Sequence, residues 1–169
     1  QQYSITEERK AAVDFSSPYY YTAQTVITVA GSAAENATSL ADLQGLLIGA
    51  ATGTTSLKAI EDIIKPTQGA LAFNSNDDAK AALANGQVDA IVVDLPTAFY
   101  LTAVELEGGK ILGQLEGAEA GDSFGLVLDK GSPLTAAVSA AVDRLRENGT
   151  LAELEAKWLA GYANAPVLK

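Results

Sequence analysis

Three places along the chain hold residue types able to do chemistry. The first is Ser4-Ile5-Thr6-Glu7-Glu8-Arg9, where a guanidinium, followed by Lys10, stands in a sequence poor in cations. A guanidinium grips a carboxylate through two parallel hydrogen bonds. The same residues would serve equally as solvated charge in a turn. The second is Thr52-Gly53-Thr54-Thr55-Ser56. Glycine lets backbone approach a ligand, and the N–H groups of a helix start favour an anion. Thr54 or Thr55 could instead simply cap its own helix. The third is Asp94, at the end of the apolar run Ala90-Ile91-Val92-Val93. A carboxylate leaving a buried strand can accept from an ammonium group, or it can cap the helix that holds Pro96. Asp89 is a weaker candidate whose place suits a structural hydrogen bond. Together an Arg, a helix-start nest and an Asp complement a zwitterion, which points to an α-amino acid.

Composition narrows the rest. The chain has 169 residues, 48% of them hydrophobic, and a net charge of −10 from 11 Lys+Arg against 21 Asp+Glu. A chain of this length buries roughly 70% of its unfolded surface and sustains a core without metal or disulfide. Phosphate neutralisation needs clustered cations, and here they are scattered, so nucleic acid and anionic membrane surfaces are not expected partners. Cys, His and Met are all absent. That removes disulfides, thiolate sites, the Ser-His-Asp triad and the commonest transition-metal ligand; no cofactor or metal is expected. The loop at 52–56 lacks the Lys-Ser/Thr ending of a Walker loop and the G-x-G-x-x-G spacing of a dinucleotide site.

These residues must be positioned by alternating strands and helices, the pattern of an α/β sandwich on a mostly parallel sheet. The aromatic and β-branched run from Tyr19 to Val29 reads as one long strand. A short N-capped helix follows at Ser39–Leu43, then strands at Leu46–Ala50, Ala70–Phe73 and Val88–Asp94. Between them, Leu57, Ile60, Ile63 and Ile64 share one helical face, as do Ala79, Ala82 and Leu83. Pro96 opens a helix running through Thr97–Val104, and Lys110–Gln114 and Phe124–Leu128 are further strands. Ser132-Pro133 and Thr150 start two C-terminal helices. Trp158 and Tyr19–Tyr21 are expected to serve core and interlobe packing rather than a ligand cage.

The segment from Ser4 to Tyr19, SITEERKAAVDFSSPY, resembles the hallmark of the polar amino acid-binding proteins of ABC importers. Gly49–Thr55, Ala84–Ala90, the run from Phe124 to Leu134 and the ending Asn148–Leu159 match the same family in order. The resemblance implies a type II periplasmic binding protein fold: α/β, with one complete α/β lobe plus an incomplete first lobe joined by two hinge strands. Residues 1–21 would be a remnant of lobe 1, 22–122 lobe 2, and 123–169 the return strand and C-terminal helices of lobe 1. The crossing strand would lie near Tyr20–Val29 and the return near Ser123–Leu128.

By the same resemblance, Arg9 clamps a ligand carboxylate, aided by the backbone N–H of Thr55 within Gly53-Thr54-Thr55. Ser4 contacts the α-ammonium or carboxylate, Asp94 takes the α-ammonium, and Ala51 and Ser56 lie beside the ligand side chain. The implied partners are a free polar α-amino acid and ABC permease subunits. The implied location is extracytoplasmic, in the periplasm or held at the cell surface by an upstream lipoprotein anchor. The family also carries an N-terminal segment to which nothing here corresponds, so a truncated or cleaved binding protein is expected, prone to self-association or domain swapping. Two alternatives are an enzyme on the same scaffold, such as a prephenate or arogenate dehydratase, and a ligand-sensing domain. The enzyme would need a general acid without His, from residues such as Glu7 or Glu8.

Overall fold

The computed structural model describes residues 2–116, 122–159 and 165–169. In chain order its first half contains α1 (Glu7–Ala12), β1 (Val13–Phe15), β2 (Tyr20–Thr22), β3 (Gln24–Val29), α2 (Leu40–Leu43), β4 (Ile48–Ala51), α3 (Thr55–Ala59), β5 (Leu71–Phe73) and α4 (Asn76–Ala84). The second half contains β6 (Ala90–Asp94), α5 (Leu95–Tyr100), β7 (Gly109–Leu115), β8 (Asp122–Phe124), β9 (Val127–Asp129), α6 (Thr135–Glu147), α7 (Thr150–Leu159) and β10 (Val167–Leu168). The chain forms two compact units. The described residues of Gln1–Thr22 and Gly121–Ala163 make the first, those of Ala23–Ala120 and Asn164–Lys169 the second.

The second unit is built on a six-stranded sheet in the order β10-β7-β3-β6-β4-β5. β4 pairs parallel with β5 and β6, and β10 parallel with β7, but β3 is antiparallel to both β6 and β7. The sheet is therefore mixed where the sequence pattern suggested a mostly parallel one. Crossover helices make successive strands parallel, and none precedes β3. Alternation along the strands sorts two apolar faces. Val26, Ile48, Ala50, Ala90 and Val92 face one core with Ile60 and Ile64, while Ile27, Ile91 and Val93 face the other with Ala79, Leu83 and Ala98. β4 is buried along its whole length, as befits a central strand covered on both faces.

Two expected helices run differently. α3 continues as a π turn over Ile60–Ile64, closed by Lys65 N–H donating to the Ile60 carbonyl at 2.8 Å. α5 continues as a π turn over Leu101–Glu105, with Leu106 N–H on the Leu101 carbonyl at 2.8 Å. The wider first turn leaves Ile60 and Ile64 fully buried. Asp89 lies just outside β6; its Oδ2 accepts from Leu47 N–H at 2.8 Å, a structural bond.

The expected strand from Tyr19 to Val29 is broken at Ala23. β2 pairs antiparallel with β8 in the first unit, whereas β3 enters the large sheet of the second. The expected Phe124–Leu128 strand divides likewise: β8 ends at Phe124, and β9 starts at Val127 and pairs antiparallel with β1. At the far end, Val167 and Leu168 pair with Gln114 and Leu115 of β7, so the chain end groups with the second unit and not, as 123–169 implied, with the first. Gly113 makes room for this, since a Cβ there would stand 2.8 Å from the Pro166 carbonyl.

The first unit buries less. Among the described residues of α6 only Val142 is buried, and none of α7 is. Trp158 is 66% exposed, with the Lys157 ammonium 5.0 Å from its ring centroid, and Tyr21 is 63% exposed. Neither lies in a core, whereas Tyr19 and Tyr20 pack against Phe124 at 6.2 and 5.9 Å. α6 begins at Thr135, two residues beyond Pro133, and has no side-chain cap. Carboxylates hold this unit together. Asp14 accepts from Gly131 N–H and Thr135 Oγ1, both at 3.1 Å, and pairs with Lys130. Asp143 accepts from Arg146 Nη1 at 2.7 Å and Ser17 Oγ at 3.0 Å.

A methyl group at Gly49 would meet the Phe73 ring and lie 2.9 Å from the Leu71 carbonyl. Gly49→Ala should therefore cost about 1–3 kcal/mol by overpacking, measurable by urea unfolding; an unchanged midpoint would refute this packing. The Lys130 hydrogen bond holds the Asp14 carboxyl below the ordinary carboxylate range, and the Arg146 bond does the same for Asp143. Since both folded-state values are depressed, their contribution is complete above the unfolded pKa of about 4 and disappears as pH falls through the lower folded value. Wild-type stability should drop more steeply than that of Asp14→Asn below about pH 4; parallel acid titrations of the two would contradict this.

Candidate functional site

The second unit collects most of the candidate residues at one edge of its sheet. β4 and β6 are parallel neighbours, with Ile48 opposite Ala90 and Gly49 opposite Ile91, so Ala51 and Asp94 close the two strands side by side. Open α/β sheets place ligands outside the carboxyl ends of such strands. The chain leaves β4 through the exposed Thr52-Gly53 turn, where Gly53 has φ +69° and open space about it. A left-handed φ explains the glycine.

Thr54 is the N-cap of α3. Its hydroxyl accepts from Leu57 N–H at 3.1 Å and donates to the Ala51 carbonyl at 2.6 Å, tying strand end to helix start. Thr55 is the first helical residue, and its Oγ1 accepts from the side-chain amide of Gln24 at 3.1 Å. Ser56 and Ala51 are buried.

Asp94 is half-buried and caps α5. Its Oδ1 accepts from Thr97 N–H at 2.9 Å and its Oδ2 from Thr97 Oγ1 at 2.8 Å. The adjoining Leu95 N–H donates to the Ala23 carbonyl at 3.0 Å. The titratable cluster of this unit sits elsewhere: Lys80 pairs with Asp77 and Glu105, holding the Glu105 carboxyl below its ordinary range.

In the first unit the structure brings Arg9 and Ser4 together. Arg9 Nη1 donates to the Ser4 carbonyl at 2.8 Å, and the guanidinium carbon lies 4.1 Å from the centroid of the Tyr3 ring. Tyr3 stacks in turn on Phe15 at 5.9 Å. α1 starts here because Thr6 Oγ1 accepts from Arg9 N–H at 3.1 Å, with Glu7 and Glu8 at its positive end. Ser4 is buried and bridges to Phe124, while Ile5 N–H reaches the Ser123 carbonyl at 2.8 Å. Arg9 is thus half-buried, gripped at one edge and covered on one face.

Two residues absent from the sequence-based set emerge. Tyr3 gave no signal, since six positions of separation do not imply a contact with Arg9. Gln24 did give one: it is the sole Gln in the strand QTVITV, and a polar amide in an otherwise buried strand needs a partner. Among the described residues, no cluster of three or more Asp and Glu is placed to hold a metal ion, and no helix is long and apolar enough to cross a membrane.

The architecture is that of the type II periplasmic binding proteins. The chain belongs to the bacterial extracellular solute-binding proteins, family 3, which it matches over residues 1–161. It is 30% identical over 161 residues to the L-arginine-binding protein of Pseudomonas aeruginosa, covering 92% of this chain and 61% of that one. It is 29% identical over 157 residues to the ABC transporter glutamine-binding protein GlnH of Bacillus subtilis, covering 92% and 55%. In three dimensions it is similar to the arginine-, lysine-, histidine-binding protein ArtJ of Geobacillus stearothermophilus, with TM-score 0.76, 27% identity, and coverage of 96% and 69%. The chain therefore spans little more than half the length of these curated relatives.

Thr54→Ala removes the cap and the tie to Ala51. It should destabilise the protein by about 1 kcal/mol, read as a lower denaturation midpoint, and Thr54→Ser should restore most of the loss. Equal midpoints for all three proteins would show the cap to be dispensable.

Proposed function

We propose that the protein binds a polar α-amino acid outside the cytoplasmic membrane and delivers it to the permease of an ABC importer. The ligand carboxylate is taken by Arg9, with Ser4 beside it and the Gly53-Thr54-Thr55 segment assisting. The α-ammonium is taken by Asp94, while Ala51 and Ser56 border the side chain. The observation that carries this reading is that each unit holds one anchored charge: a guanidinium held by the Ser4 carbonyl and the Tyr3 ring in the first, and a carboxylate held at the start of α5 in the second. A zwitterion has one complement for each. Relatives named for binding arginine and glutamine support the substrate class.

Micromolar affinity corresponds to about −8 kcal/mol, within reach of a few charge-assisted bonds. Binding shifts the protein's conformational equilibrium only through a difference in affinity between states. The protein acts without chemical turnover, by capture and release in the periplasm or at the cell surface.

Calorimetry of the full-length protein with arginine, glutamine, glutamate and cystine should give micromolar binding of at least one. Arg9→Ala should abolish it. Asp94→Asn keeps an equally good helix cap, so its melting temperature should stay near wild type while affinity falls about 10- to 100-fold. Undiminished affinity in either variant would remove that residue from the site.

A further inference from the structure

Within the first unit, Arg9 belongs to a relay of planar groups. Its guanidinium carbon lies 4.1 Å from the centroid of the Tyr3 ring, and Tyr3 stacks on Phe15 with centroids 5.9 Å apart and planes 17° from parallel. Both rings are carried by backbone tied to residues 123–127. Phe15 stands opposite Val127 in the β1–β9 register, and the Tyr3 carbonyl accepts from Gly125 N–H at 3.3 Å. Gly125 leaves the space that the stack occupies, since a Cβ there would stand 3.1 Å from the Phe15 ring and 2.9 Å from the Ile5 side chain. The rings therefore rest on strands, whereas Arg9 rides in the last turn of the six-residue helix α1.

An arginine side chain carries much rotamer freedom. The Ser4 carbonyl, 2.8 Å from Nη1, fixes one point of the guanidinium but leaves its plane able to turn about that bond. The Tyr3 ring supplies the second constraint. It attracts the cation through its electron-rich face, and it acts on the guanidinium face, whereas the N–H groups lie in the plane, so stacking consumes none of them. We infer that Tyr3, seated on Phe15, is a positioning residue that fixes the plane of the Arg9 guanidinium and so makes this clamp selective for a planar carboxylate over a tetrahedral oxyanion. The inference rests on the amino acid reading above. A carboxylate pairs with a guanidinium through two parallel, coplanar bonds, so it gains from a plane held in advance. The oxygens of a phosphonate point in three directions and gain less. Discrimination then depends on an aromatic pair that acts on the ligand only through Arg9.

The test compares wild type, Tyr3→Phe and Tyr3→Leu in the full-length protein, using calorimetry with L-arginine and L-glutamine and with the analogues that carry a phosphonate in place of the α-carboxylate. Tyr3→Leu keeps an apolar side chain but removes the ring. It should weaken amino acid binding about 2- to 5-fold while the phosphonates change little, so the preference for a carboxylate narrows. Tyr3→Phe keeps the ring and should keep both the affinity and the preference. Proton NMR reads the stack without ligand: the Arg9 Hδ and Hε signals should be shifted upfield by the ring in wild type and in Tyr3→Phe, a measurement that stands even where Tyr3→Leu does not fold. A purely structural role would lower the melting temperature of Tyr3→Leu and weaken carboxylates and phosphonates alike. That outcome, unchanged amino acid affinity in Tyr3→Leu, a loss in Tyr3→Phe as large as in Tyr3→Leu, or unshifted Arg9 signals in wild type would overturn the inference while leaving the proposed function standing. A wild-type protein that binds neither amino acid would overturn both.

Discussion

The parallel pairing of β4 with β6 governs the second unit. Two parallel neighbours finish at the same edge, so the helices that follow them, α3 and α5, must begin there together. Both strands are buried and apolar up to their last residues, so polar chemistry can appear only where they stop. Asp94 and Thr54 occupy those stops. The fold thus concentrates backbone donors, two hydroxyls and a carboxylate at one edge without any element dedicated to ligand binding.

Caps in this setting serve two purposes. Each satisfies a helix N–H that would otherwise lack a partner, and each holds a polar side chain in one rotamer. Asp94 is ordered by its two bonds to Thr97. Arg9 is ordered differently, by a carbonyl at its edge and a ring on its face. Such fixing lowers the entropy that binding must overcome.

Much of the second unit was legible in the sequence because its signals are local. The runs around Ile48 and Ile91 are unbroken and apolar, and Ser39, Thr54 and Ser75 are good caps. The break at Ala23 was not legible, since the Tyr19–Val29 run keeps its strand character on both sides and only pairing with β8 or β6 reveals the division. The antiparallel entry of β3 is likewise a property of partners distant in sequence. The π turns escaped because Leu57, Ile60 and Ile64 fit an α-helical face nearly as well. Asp94 and Arg9 were recognisable as types in context, and Gln24 as a polar amide in a buried strand, whereas Tyr3 becomes informative only through a partner. The exposure of Trp158 shows why: an aromatic residue in a periodic helix suggests a core, but α7 has few apolar neighbours among the described residues.

The break at Ala23 also bears on how the protein is made. The partner of β2, β8, is synthesised about 100 residues after it. At ~5–20 residues per second that is a wait of roughly 5–20 s. Until then Tyr20–Thr22 presents open backbone N–H and C=O groups, the kind of edge that recruits foreign strands. β3, next in line, likewise waits for β6 and β7. A nascent chain arranged in this way gains from a holdase that shields these strands until their partners have been synthesised.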